Sequence, residues 1–211
     1  WAFQLMALST LFGAAMAINL PALGGAGILV PNLFLVFFMA RMLLAAGTGP
    51  VIASAIPPRP GFWLLALTVF GVLSAYFLPR LFAGITDTMS VTRTYGGKSF
   101  ITPTPLGPTG TNITQAVYAI GGLLAFAFAF AYARYFSRPS QVIGAFLIAG
   151  LACAAAAALD LVTYYTGTGF ILDSVRTANY NFLTATEMSG MKRIAGTSAE
   201  ASAFASYTLP L

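Results

Sequence analysis

The chain has 211 residues, of which 58% are hydrophobic and only 7% are charged. A soluble domain carries about 25% charged residues, so there are too few here to cover a water-facing surface, and lipid is the natural solvent. The net charge of +5 comes from ten basic and five acidic residues, and the basic ones are scattered rather than striped, which argues against a nucleic-acid-binding surface.

A helix needs about 20 apolar residues to cross about 30 Å of hydrocarbon. Five runs meet that length. Trp1 to Leu20 is uncharged throughout, and Pro21 to Gly27 reads as a tight glycine-rich turn. Ile28 to Ala46 follows, with Pro31 near its start and Arg41 near its end. Gly61 to Phe82 is opened by Pro60 and closed by the Pro79–Arg80 pair. Ile113 to Tyr132 and Val142 to Tyr165 come next, separated by the short Ala133–Ser140 connection. A sixth run begins near Ser202 and stops abruptly, so the chain reads as a fragment open at its carboxyl end.

The expected fold is therefore all-α, a polytopic transmembrane helix bundle treated as one domain over residues 1–211. Its spans are about 1–20, 28–46, 61–82, 113–132, 142–165 and a truncated 202–211, with long external loops at 83–112 and 166–201. Orientation follows from the short loops, where the positive-inside rule weighs most. Arg59, Arg134 and Arg138 lie in short connections that contain no acid, which predicts a cytoplasmic position for them and an external one for the long loops. Arg41 fits, since it can snorkel to the cytoplasmic end of its span.

Most of the remaining signals have a packing explanation. Gly121, Gly122, Gly144, Gly150 and the Ala154–Ala158 run let helices approach closely. Cys153 lies in that alanine-rich stretch and reads as packing. Asn112, Ile113 and Thr114 match a glycosylation sequon, but a helix cap by Asn112 or Thr111 explains them as well. No histidine is present, which removes the commonest general base near neutral pH.

A few residues can carry chemistry. Asp160 is the lone acid inside a predicted span, and such residues are expensive and functional by default. It lies one to two turns from the external end, so pairing with Arg176 or Arg80 is the structural alternative. Arg80 ends the third predicted span at headgroup level, where a guanidinium can fork onto phosphate or simply anchor the interface. Gly169 to Leu183 mixes Phe170, Ile171, Val175, Tyr180 and Phe182 with Asp173, Arg176 and Asn179, as an amphipathic surface helix would. Lys192 and Arg193 sit among small residues just before the last helix, where a basic pair can hold an anionic headgroup or a diphosphate.

Met191 to Phe204 resembles the O-antigen ligase and O-antigen or exopolysaccharide polymerase superfamily of bacterial inner membranes. Arg193 and Gly196 match its Arg-x-x-Gly motif before a span. Looser similarities are Pro79 to Gly84, Asn112 to Gln115 with Tyr118, and Ala178 to Tyr180, while Ser198 departs from the aromatic residue often found there. The resemblance implies a protein of about a dozen spans by the family pattern, with this chain as its amino-terminal half. It implies transfer of glycan from an undecaprenyl diphosphate carrier, on the periplasmic face, to a lipid A-core or glycan acceptor. No cofactor, metal or nucleotide sugar is expected. Arg193 would bind the diphosphate with Arg80, Arg176 or Lys192 assisting. The family's acceptor-activating histidine is absent here, so this chain alone would be inactive. Two other classes fit an apolar chain: a transporter or flippase for a lipid-linked or anionic solute, and a structural subunit without chemistry. The first needs polar residues at the bilayer midplane, which the spans lack.

Overall fold

A computed structural model of the chain describes residues 1–20, 26–93, 99–178 and 182–209. The turn at 21–25, Asn179 and Tyr180 from the looser similarities, and the end of the sixth predicted run at 210–211 lie outside the described residues. The chain divides into two compact units, Gly49–Ala131 and the combination of Trp1–Thr48 with Tyr132–Leu211.

In chain order the elements are α1 (Ala2–Ser9) running into a 3-10 turn (Thr10–Phe12), β1 (Met16–Leu20), β2 (Ala26–Leu29), α2 (Val30–Ala46), α3 (Gly49–Ser54) and α4 (Pro60–Leu81). There follow β3 (Asp87–Arg93), β4 (Ser99–Pro105), α5 (Gly110–Tyr135), α6 (Pro139–Thr166), α7 (Phe170–Asp173), β5 (Glu187–Met188), β6 (Met191–Lys192) and α8 (Ala201–Thr208).

The described residues are mostly helical, and among them three helices are long and apolar enough to cross a membrane: Pro60–Leu81, Asn112–Tyr135 and Pro139–Thr166. They coincide with the predicted runs at 61–82, 113–132 and 142–165. Exposed Leu67, Phe70, Leu147 and Leu151 leave them suited to lipid contact.

The other predicted spans need correction. The run 1–20 is not one helix: α1 and its 3-10 turn end at Phe12, and Met16–Leu20 is a strand paired antiparallel with Ala26–Leu29. Pro21 disfavours helical geometry at the residue before it, and the hydroxyls of Ser9 and Thr10 fold back onto the Met6 and Ala7 carbonyls. The run 28–46 becomes a strand end followed by α2, 17 residues long, with Pro31 in the first turn where its missing N–H costs nothing. Of the run 202–211, an eight-residue helix, α8, is described.

The all-α expectation also gives way at three two-stranded antiparallel ribbons. In the long loop 83–112, β3 and β4 pair from Asp87 with Pro105 to Arg93 with Ser99. This stretch is rich in threonine and other β-branched residues, which favour extended backbone.

Within the unit Gly49–Ala131, Pro79 lies in the last turn of α4. Proline has no N–H, so the carbonyl four residues earlier, Ala75, loses its helical donor. The Asn112 side chain supplies a replacement, Nδ2 donating to the Ala75 oxygen at 3.4 Å. Asn112 therefore ties α5 to α4, and its Oδ1 in turn accepts from the Thr109 hydroxyl at 2.8 Å.

In the other unit, one face of α6 presents Ala145, Ala149 and Cys153, all buried. Leu11, Cys153 and Phe204 form a core, with Leu8, Phe12, Ala156 and Ile194 packed around it. Small side chains on α6 thus let α1 and α8 approach. By contrast, among the described residues nothing outside their own helix backbone and chain neighbours lies within 4 Å of where a side chain would start at Gly121, Gly122 or Gly144. A second cluster stacks Phe3, Phe38 and Tyr132, with ring centroids 4.9 to 5.9 Å apart.

Candidate functional site: a loop held by a buried carboxylate

Continuing down the buried face of α6, the next inward positions are Asp160 and Thr163. A carboxylate on an apolar helix must find compensation or neutralise. Asp160 finds four donors. Its Oδ1 accepts from Arg176 Nη2 at 2.8 Å. Its Oδ2 accepts from Lys192 Nζ at 3.1 Å and from the backbone N–H groups of Ala195 at 2.8 Å and Gly196 at 3.1 Å. The pairing with Arg176 expected from sequence is present, and Lys192 joins it.

The three charges are sealed from solvent: the Arg176 side chain is 6% exposed, Asp160 3% and Lys192 1%. Lys192 spends its other two protons on the Thr184 and Arg193 carbonyls, at 2.5 and 2.8 Å. Arg176 Nη2 also donates to the Gly196 carbonyl, while its Nε is buried with no partner among the described residues. Gly196 is thus gripped on both sides, N–H by Asp160 and C=O by Arg176.

That grip requires glycine. Gly196 has φ +55°, and a Cβ there would overlap the Phe204 ring. The loop closes onto the rest of its unit through the Thr197 hydroxyl, which donates to the Leu11 carbonyl. Residues 195–198 are all buried.

Arg193 is the exception in this segment. Its backbone N–H donates to Thr186 at 2.9 Å and its carbonyl accepts from Lys192, so the main chain is fixed on both sides. Its side chain is exposed, with no partner among the described residues. The exposed guanidinium therefore stands on an immobilised backbone.

A cavity of about 330 Å³ opens beside the knot, lined by Tyr164, Phe170, Asp173, Arg176, Thr184 and Lys192 among others. Tyr164 donates its hydroxyl to Glu187 Oε1 at the cavity's edge. Asp160 and Asp173 match Arg176 and Lys192 in number, so the lining is charge-balanced.

Of the residues singled out by sequence, Asp160, Arg176 and Lys192 meet at one point, and Arg193 adjoins them. Arg80 belongs to the other unit. There its Nη1 donates to the Tyr76 carbonyl at 2.6 Å, and its guanidinium lies 4.0 Å from the Tyr76 ring centre. The sequence did not mark the backbone amides of Ala195 and Gly196 as the carboxylate's receptor. The available signal was the need of a lone intramembrane acid for donors, set against a glycine-containing loop of small residues. No protein-family model matches the chain, and neither the curated proteins nor the solved structures hold a significant match to it.

Proposed function

We propose that the chain is the amino-terminal part of a bacterial inner-membrane glycan ligase or polymerase. In this reading it helps bind an undecaprenyl diphosphate-linked glycan on the periplasmic face, through Arg193. The supporting observation is the exposed Arg193 side chain on a backbone fixed by Thr186 and Lys192. A diphosphate leaving group gathers negative charge as the glycosidic bond breaks, and a guanidinium placed at the leaving oxygen stabilises the charge. Arg176 and Lys192, spent on Asp160, serve this reading as positioning residues rather than as phosphate ligands.

In the same proposal α4, α5 and α6 cross the membrane in alternation. Arg59, Arg134 and Arg138 then share the cytoplasmic side, and the β3–β4 ribbon and the Arg193 loop share the external side. Multi-pass insertion extends to α2, whose 17 residues span about 26 Å.

The test is Arg193→Ala in the full-length protein, read as surface polysaccharide on a gel. Removing one donor that stabilises transition-state charge costs about a hundredfold or more in rate, so the polysaccharide ladder should be lost. A normal ladder at normal protein level would overturn the reading.

A further inference from the structure

The unit Gly49–Ala131 holds an apolar groove between α4 and α5, a cavity of about 270 Å³. Val72, Ala75, Ala116 and Ile120 wall it, and Tyr76, Arg80 and Asn112 lie at its other end. From Arg80 down to Val72 is eight residues, or about 12 Å along the helix. Asn112 tethers the two helices near the polar end through the Ala75 carbonyl.

The walls are apolar over this length, which suits a hydrocarbon chain. Among the described residues the only charge in the lining is Arg80, and no acid lines the groove. Its guanidinium is held over the Tyr76 ring and bonded to the Tyr76 carbonyl through Nη1, which leaves further N–H donors for a ligand.

We infer that the α4–α5 groove binds one anionic glycerophospholipid, with its phosphate on Arg80 and an acyl chain between the helices. A single guanidinium matches a phosphodiester. A diphosphate carrier would call for more cations than the lining supplies. This site stands independently of the transferase reading and of Arg193.

The test uses the purified full chain in detergent, incubated with palmitoyl-oleoyl phosphatidylglycerol, the matching phosphatidylcholine, or undecaprenyl diphosphate, and read by native mass spectrometry. One phosphatidylglycerol per chain should bind about fivefold more tightly than phosphatidylcholine, the discrimination one basic residue gives at a membrane surface. Arg80→Gln should bring the two lipids to parity. Ala116→Phe, which fills the groove, should lower the occupancy of both. The inference is overturned by equal binding of the two lipids to the wild type, or by a preference that survives Arg80→Gln. It is equally overturned if undecaprenyl diphosphate displaces phosphatidylglycerol at equal concentration, which would give the groove to the carrier. Should Arg80→Gln not fold, Ala116→Phe decides, and unchanged phosphatidylglycerol occupancy there would overturn it.

Discussion

Asp160 Oδ2 accepts the backbone N–H of Gly196 at 3.1 Å, across 36 residues of sequence. This bond joins the last turns of α6 to the loop that follows Arg193. One carboxylate serves two purposes there: it neutralises buried cations, and it satisfies two amides of a tight turn. The loop's shape therefore depends on a charge.

Loss of the carboxylate should be the most damaging change in the knot. Asp160→Ala leaves Arg176 and Lys192 buried without the carboxylate that bonds them both, and breaking such a pair costs about 3–5 kcal/mol. Lys192→Met leaves one acid facing one base, so its cost should be smaller. The double variant Asp160→Asn with Lys192→Met should be more stable than Asp160→Asn alone. Thermal unfolding in detergent micelles checks the order, and equal losses for Asp160→Ala and Lys192→Met would contradict it.

Gly196→Ala combines a positive φ, at a cost of about 1–2 kcal/mol, with overlap on Phe204, at about 1–3 kcal/mol. Trimming the ring should relieve the second cost but not the first. Gly196→Ala with Phe204→Leu should thus lose less than the sum of the two single variants. Strict additivity in the same unfolding assay would remove Phe204 as the cause.

The Asn112–Ala75 bond exists because Pro79 withholds a donor. Asn112→Ala should cost about 0.5–1.5 kcal/mol, the net worth of one hydrogen bond. In a Pro79→Ala background the helix supplies its own N–H to Ala75, and the cost of Asn112→Ala should shrink toward zero. An undiminished cost would assign Asn112 another role, such as the cap considered from sequence.

The long helices were legible because length and hydropathy suffice for them: nothing interrupts 142–165, and α6 extends past it at both ends. The run 1–20 has the hydropathy of a span, because hydropathy does not distinguish an apolar strand from a membrane-crossing helix. Its break after Phe12 depends on local hydroxyl bonds and on Pro21, signals weaker than twenty apolar residues. The Asp160–Arg176 pair could be expected from charge alone. The inward turn of Lys192 could not, since it depends on the β5–β6 ribbon, Glu187–Met188 with Met191–Lys192, and on carbonyls supplied by Thr184 and Arg193. Gly196 was noticed through a motif, while its physical reason, Phe204 packed against it, is a tertiary contact.

The central claim is that the Arg193 side chain faces the side of the membrane opposite the short arginine-bearing loops. Single cysteines replace Arg193 and Arg138 in turn, in a Cys153→Ala background, and intact cells are treated with a membrane-impermeant maleimide. Arg193→Cys should label in intact cells, and Arg138→Cys only after permeabilisation. Labelling of both from the same side, or of Arg138→Cys alone in intact cells, would contradict the account.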